Sequence, residues 1–216
     1  DENHYIMTTT TGGAANVMSK LEDYLQTEWP ELEVYLTSVT DHFATVSICG
    51  PNSKKILTKI VPELDLLDEN FPHMSFKNAK IGKIHCRIMR ISFTGEHSYE
   101  INIQANYGNS VWEKCMEAGK EYNITPYGTE AMHLLRAEKG FIIVGQDTDG
   151  TMTPIDLQMD WIVSKKKYDF IGKRSLYRSD TIREDRKQLV GLITEDPKEI
   201  LEEGAQIVSE LNKKPV

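Results

Sequence analysis

The chain has 216 residues, enough to bury one large hydrophobic core or two small ones. Its 39% hydrophobic and 27% charged residues are typical of a folded globular protein and argue against a disordered or an integral membrane protein. The formal net charge of −8 argues against DNA as a main partner, because nucleic-acid binding needs a concentrated basic surface.

Apolar residues at helical or alternating spacing predict secondary structure along most of the chain. In chain order the predicted elements are a strand at 4–7, a helix at 17–29, strands at 34–36 and 43–48, a short helix at 51–60, strands at 84–89 and 99–104, helices at 109–119 and 128–140, and a strand at 188–193. Residues 63–80 show no clear periodicity. This mixed order of strands and helices predicts an α+β fold.

The ends of the chain and the absence of long apolar runs support three further expectations. The chain starts at Asp1 rather than at Met and enters a predicted strand at once, so we expect residues upstream in the parent protein. The strand at 188–193 is typical of the start of an all-β module, which is barely begun at Val216. No apolar stretch is long enough to span a bilayer, and no signal peptide is present, so the expected location is cytoplasmic.

The histidines, cysteines and glycines do not form a recognisable metal or nucleotide motif. No two of the six histidines have HxxxH or HxH spacing, so no metal site is expected. Cys49, Cys86 and Cys115 are far apart and lack CxxC spacing, which predicts reduced, buried thiols. Neither GxGxxG nor GxxxxGK[ST] occurs, so a nucleotide site has no support.

Two polar runs have a structural and a functional interpretation. The threonines at 8–11 are most simply caps for the first helix, and the alternative is that their hydroxyls bind a ligand. The lysines at 165–167 are most simply a solvated surface, and the alternative is a site for an anionic tail.

Glu100 lies on a predicted strand whose neighbouring residues face the core. Tyr99 and Ile101 should be buried, so the carboxylate of Glu100 lies beside an apolar layer, where an unpaired charge is costly. Periodicity alone favours a solvent-facing glutamate on a half-exposed strand. The alternative is a carboxylate that binds a hydrogen-bond donor of a ligand.

An ordered series of motifs resembles the glycine-cleavage T-protein family. The segment 91–101, ISFTGEHSYEI, resembles the family's GYTGExGxEI, and LLRAEKG at 134–140 resembles its LRLEAG helix. Further matches follow in the family's order at 145–149, 153–154, Trp161 and 169–173. Each match alone is weak, and the ordered series is strong.

Within this family, three segments of the chain resemble the alpha subunits of sarcosine oxidases. The similarity lies in MTTTTGGAA at 7–15, LQTEWPELEVYLTSVTDHFATVSICGP at 25–51 and YGTEAMHLLRAEKGF at 127–141. The resemblance implies a T-protein-like folate-binding α+β fold, truncated at both ends, over residues 1–185. It also implies the start of a C-terminal β-barrel over residues 186–216.

The resemblance assigns five positions to a folate site. Glu100 matches the family's glutamate that hydrogen-bonds the pterin ring, and Phe93 stands where an aromatic partner, usually tyrosine, lies. Met132 replaces the family's ligand-site arginine, whereas Arg136 matches a second arginine that is more often structural. Trp161 matches a tryptophan that lines the folate pocket. The family's catalytic aspartate lies upstream of this sequence, so no catalytic residue is expected in this chain.

The resemblance implies that the chain is part of an enzyme in which tetrahydrofolate captures the one-carbon unit released from sarcosine. Flavin and NAD are expected only in other parts of the parent assembly, and the partners are folate and other sarcosine oxidase subunits. The chain alone is expected to be inactive. Two alternatives stay open: a free-standing T-protein-like aminomethyltransferase or demethylase, and a non-catalytic scaffold for folate binding or subunit contact.

Overall fold

A four-stranded antiparallel sheet lies at the centre of the first of two units in this protein. The computed structural model describes residues 2–202 and 204–208, and the boundary between its two units follows Phe141. The strands are β1 (Phe43–Cys49), β2 (Phe76–Ile81), β3 (Ile84–Met89) and β4 (Ser98–Gln104), in the spatial order β1-β4-β3-β2. The helices of this unit are α1 (Ala14–Thr27), α2 (Ser53–Ile60), α3 (Gly108–Gly119) and α4 (Thr129–Glu138).

The hydrophobic core lies on one face of the sheet, under α2 and α3. Ile101 at the centre of β4, Leu57 of α2 and Val111 of α3 are fully buried there. Burial of one such side chain contributes about 1.5–3 kcal/mol, so this layer supplies most of the packing energy of the unit. The core therefore fixes which residues of each strand face inward and leaves their neighbours on the opposite face.

The structure confirms the predicted α+β class and most of the elements of the first unit. β1, β3 and β4 match the predicted strands at 43–48, 84–89 and 99–104 within one residue. All four helices lie within the predicted segments or begin up to three residues earlier. Alternating apolar residues in the strands and apolar residues at helical spacing in the helices were therefore sufficient to predict these elements.

Two short strands predicted in the first unit were wrong, and one strand of this unit was missed. Residues 4–7 and 34–36 are irregular and mostly exposed, because neither segment has a partner strand to satisfy its backbone hydrogen bonds. The missed strand, β2, lies at the edge of the sheet and buries only Ile81. Because β2 contains two lysines and its Phe76 is exposed, it lacks the alternation of apolar and polar residues that a more buried strand would show.

The second unit, from Ile142, consists mainly of turns and irregular backbone among its described residues. It contains two short 3-10 helices, Asp160–Ile162 and Lys173–Tyr177. Arg186 forms a buried ion pair with Asp156 at 2.6 Å, and the Thr153 hydroxyl donates to the same carboxylate at 2.9 Å. The strand predicted at 188–193 was wrong, since these described residues form no strand. The start of a β-barrel and the boundary at 185–186 stay predictions.

No helix among the described residues is both long and apolar enough to cross a membrane.

Candidate functional site

The face of the sheet opposite the core carries the candidate site. Antiparallel pairing sets Glu100 of β4 between Ser47 of β1 and Met89 of β3. Glu100 lies on this face because its chain neighbours, Tyr99 and Ile101, are fully buried on the other one. The predicted alternation around Glu100 is therefore confirmed.

The carboxylate of Glu100 is half-buried and costly to keep charged. Burial raises its pKa above the ordinary value for glutamate, since desolvation disfavours the charged form. No described residue forms a hydrogen bond or an ion pair with this carboxylate. Both carboxylate oxygens are therefore available to accept hydrogen bonds from a ligand.

Hydroxyl and thiol groups border Glu100 on the β1 side. The hydroxyls of Ser47 and Ser98 are 3.3 Å apart, and the Cys49 thiol donates to the phenol oxygen of Tyr127 at 3.2 Å. Glu100 is close enough to Tyr127 to raise the pKa of that phenol. The site is thus polar toward β1 and carries the thioether of Met89 toward β3.

Sequence reasoning missed Ser47, Cys49 and Tyr127. Ser47 and Cys49 alternate with the buried Val46 and Ile48, so their placement on the polar face was available from the pattern of β1. Their position beside Glu100 depends on the pairing of β1 with β4, two strands far apart in sequence. No local signal indicated Tyr127.

The connection between β3 and β4 holds Phe93 and is packed against the end of α4. Phe93 is 43% exposed, so its ring is accessible. Thr94 is fully buried, and Glu96 forms an ion pair with Lys139 at 2.9 Å. Gly95 has φ +76° and lies so close to Lys139 that a Cβ there would be 2.6 Å from the Lys139 Cβ. These contacts position the connection relative to α4.

Helix α4 carries the two other predicted ligand positions of the first unit. Met132 is half-buried, and its backbone N–H donates to the Gly128 carbonyl. Arg136 is buried one turn later and donates from Nη1 to the Phe141 carbonyl oxygen at 3.1 Å. This bond fits the structural role that the sequence favoured for Arg136.

Trp161 belongs to the second unit, in the 3-10 helix Asp160–Ile162, and it is 74% exposed.

Among the described residues, no group of three or more His, Cys, Asp or Glu side chains is arranged to hold a metal ion. All three cysteines are free thiols, and burial raises the pKa of Cys86 and of Cys115 to about 11. Those two thiols are therefore protonated at neutral pH.

The chain belongs to the family described as the GCVT N-terminal domain, whose model matches residues 1–167. Among curated relatives, the sarcosine oxidase subunit alpha of Corynebacterium sp. (strain P-1) is 55% identical over 210 residues, covering 97% of this chain and 22% of its own length. The sarcosine oxidase subunit alpha of Rhizobium meliloti (strain 1021) is 42% identical over 211 residues, covering 97% of this chain and 21% of its own length.

A second group of relatives is named aminomethyltransferase. That of Thermoanaerobacter sp. (strain X514) is 33% identical over 179 residues, covering 82% of this chain and 46% of its own length. The chain spans about a fifth of the length of the sarcosine oxidase subunits that it matches.

Proposed function

We propose that this chain is the folate-binding part of a sarcosine oxidase alpha subunit, where tetrahydrofolate accepts the one-carbon unit released by oxidative demethylation of sarcosine. The similarity to the Corynebacterium and Rhizobium meliloti subunits over 97% of the chain supports this assignment. Membership of the GCVT N-terminal domain family supports a T-protein-like role.

The observation that carries the proposal is the half-buried Glu100 carboxylate, which has no hydrogen-bond donor among the described residues. The aminopyrimidine edge of a pterin has two adjacent N–H donors, and a carboxylate accepts such a pair through its two oxygens. A bound pterin would therefore offset the desolvation that raises the pKa of Glu100.

The chemistry proposed for this chain is binding and orientation. Tetrahydrofolate held at Glu100 would supply two accepting nitrogens for the methylene carbon of the oxidised N-methyl group, one in the pterin ring and one in the link to the benzoyl group, and glycine would be the leaving group. The two-electron oxidation that precedes this transfer is assigned to flavin in other parts of the assembly, where NAD is also expected. The protein holds the acceptor near the reacting carbon and excludes water, which favours transfer over hydrolysis.

Two other functions have specific support. The 33% identity to an aminomethyltransferase favours a free-standing transferase or demethylase that acts on a different methylated compound. Met132, which replaces the family's ligand-site arginine, favours a scaffold that binds folate weakly or contacts other subunits. Folate-dependent product formation by the full-length protein, with sarcosine as substrate, supports the main proposal. Product that forms with another amine but not with sarcosine supports the free-standing transferase or demethylase.

The test is titration of tetrahydrofolate into the full-length protein and its Glu100→Gln variant. The amide keeps the size of the side chain but presents a donor to the ligand's N–H groups, so binding should weaken by about 1.5–3 kcal/mol. Glu63→Gln removes an exposed carboxylate in the turn after α2 and should leave the affinity unchanged. Equal affinities of the parent and Glu100→Gln would remove Glu100 from the site.

A further inference from the structure

Tyr127 lies in the chain before α4, and its phenol contacts the polar face of the sheet beside Glu100. The hydroxyl accepts a hydrogen bond from the Cys49 thiol at 3.2 Å. It also interacts with the Ser47 hydroxyl, and Ser47 is the residue directly opposite Glu100 in the sheet. The phenol therefore borders the carboxylate on its β1 side.

Tyr127 is both accessible and fixed in place. Tyr127 is 37% exposed, so its phenol is accessible to a ligand that reaches Glu100. Because the phenol oxygen accepts from Cys49, its own proton can be donated to another group. Burial, the Cys49 contact and the charge of Glu100 raise the pKa of Tyr127 to about 12, which keeps that proton in place at neutral pH.

We propose that Tyr127 is a second folate-binding residue, whose hydroxyl donates a hydrogen bond to the pterin ring beside the N–H groups that Glu100 accepts. This inference rests on the proposed function of the site. Glu100 and Tyr127 together present acceptors and a donor side by side.

The chemistry of the ring suits that arrangement. A tetrahydropterin has a carbonyl oxygen on one side of its N–H pair and a ring nitrogen on the other, so an acceptor flanks the donors in either orientation. A hydroxyl next to the carboxylate can satisfy that acceptor. The phenol would also supply a hydroxyl in a site where Phe93 replaces the tyrosine that is usual in the family.

The test compares tetrahydrofolate binding by the full-length protein and its Tyr127→Phe variant, which keeps the ring and removes one hydroxyl. The variant should bind about three- to tenfold more weakly, as expected for the loss of one neutral hydrogen bond. The same ratio is expected with 6-methyltetrahydropterin, which has the ring but not the tail of folate. Affinities are measured on protein shown to be folded by circular dichroism.

Tyr107→Phe is the matched control. Tyr107 is 40% exposed, close to the value for Tyr127, and it follows the opposite end of β4 from Ser98. Its variant should bind both ligands as the parent does. A loss of affinity in Tyr107→Phe equal to that in Tyr127→Phe would overturn the proposal, because the effect would then not be specific to the site.

A pair of Cys49 variants tests how the phenol is held. Cys49→Ala removes the donor to Tyr127 and should weaken binding about two- to threefold, whereas Cys49→Ser keeps a donor and should restore the affinity. In the Tyr127→Phe background, Cys49→Ala should have no further effect. Equal additional weakening in both backgrounds would contradict the role of Cys49 through Tyr127.

The remaining outcomes separate this inference from the proposed function. If the parent binds neither ligand, the proposed function fails, and the inference fails with it. If Glu100→Gln weakens binding but Tyr127→Phe does not, the folate site stands and the role of Tyr127 is overturned. If Tyr127→Phe weakens the binding of tetrahydrofolate only, the phenol contacts the tail, and the proposed contact with the pterin ring is wrong.

Discussion

At the scale of single residues, Glu100 shows how the side chain of a proposed ligand site can oppose folding. A half-buried carboxylate without a donor is less stable than a solvated one, and burial raises its pKa for that reason. Ser47 and Met89, its neighbours across the sheet, do not supply a charge of opposite sign. A ligand that supplies donors would offset this desolvation cost, so the proposed binding and the protonation of Glu100 would be linked.

We expect the stability of the ligand-free protein to depend on the protonation of Glu100. Because its folded pKa is raised, the protonated form is favoured in the native state, and this stability is fully present below the unfolded pKa of about 4.3. It is lost as the pH rises through the folded pKa. The melting temperature of Glu100→Gln should therefore equal that of the parent near pH 4 and exceed it at neutral pH. A difference that does not change with pH would contradict this linkage.

At the scale of elements, the connection between β3 and β4 depends on its fit against α4. Gly95 needs a positive φ, and it also leaves no room for a side chain beside Lys139. The ion pair between Glu96 and Lys139 joins the same two segments, with both side chains partly exposed. The close contact at Gly95 contributes more to the stability of the unit than the ion pair does, because partly exposed ion pairs add little to the free energy of unfolding.

Gly95→Ala is expected to destabilise the first unit by more than about 2 kcal/mol, from backbone strain plus overlap with Lys139. Gly82, in the turn between β2 and β3, is the matched control, since it has φ +64° and open space around it. Gly82→Ala should cost only about 1–2 kcal/mol of strain. Urea denaturation of both variants measures the difference, and equal losses would show that the contact with Lys139 is not tight.

At the scale of the whole molecule, the two units are stabilised in different ways. The first has an apolar core between a sheet and two helices. The second unit contains little regular structure among its described residues, and the buried Asp156 links Thr153 to Arg186 by hydrogen bonds. Arg186 holds the pKa of Asp156 well below its usual range. The pair therefore stabilises this unit above the unfolded pKa of aspartate, and that stability is lost as the pH falls through the folded pKa.

Arg186→Gln leaves the Asp156 charge buried without its cation and should destabilise the second unit by about 3 kcal/mol at neutral pH. Hydrogen exchange would measure this as faster exchange of the Thr153 amide, which donates to the Asp156 carboxylate, and of the Leu189 amide, which donates to the Asp156 backbone carbonyl. Arg183→Gln breaks an exposed ion pair with Asp185 and should have an effect of less than about 1 kcal/mol. Unchanged amide protection in Arg186→Gln would show that the pair is not needed.

The sequence by itself determined the α+β class, the family and the direction in which Glu100 faces. These properties depend on local periodicity and on motif order, both of which are present along the chain without knowledge of contacts. The edge strand β2 escaped prediction because its few buried residues leave a weak pattern. The isolated apolar segments at 4–7 and 34–36 were mistaken for strands because periodicity does not show whether a partner strand exists.

Only the tertiary structure decided what surrounds Glu100. Ser47 precedes it by more than fifty residues, and Tyr127 follows it only after α3. Both become its neighbours through strand pairing and the path of the chain into α4. The tight contact of Gly95 with Lys139 arises in the same way. Alternation along one strand fixes a side chain's face, whereas its neighbours across the sheet depend on long-range packing that a local pattern does not encode.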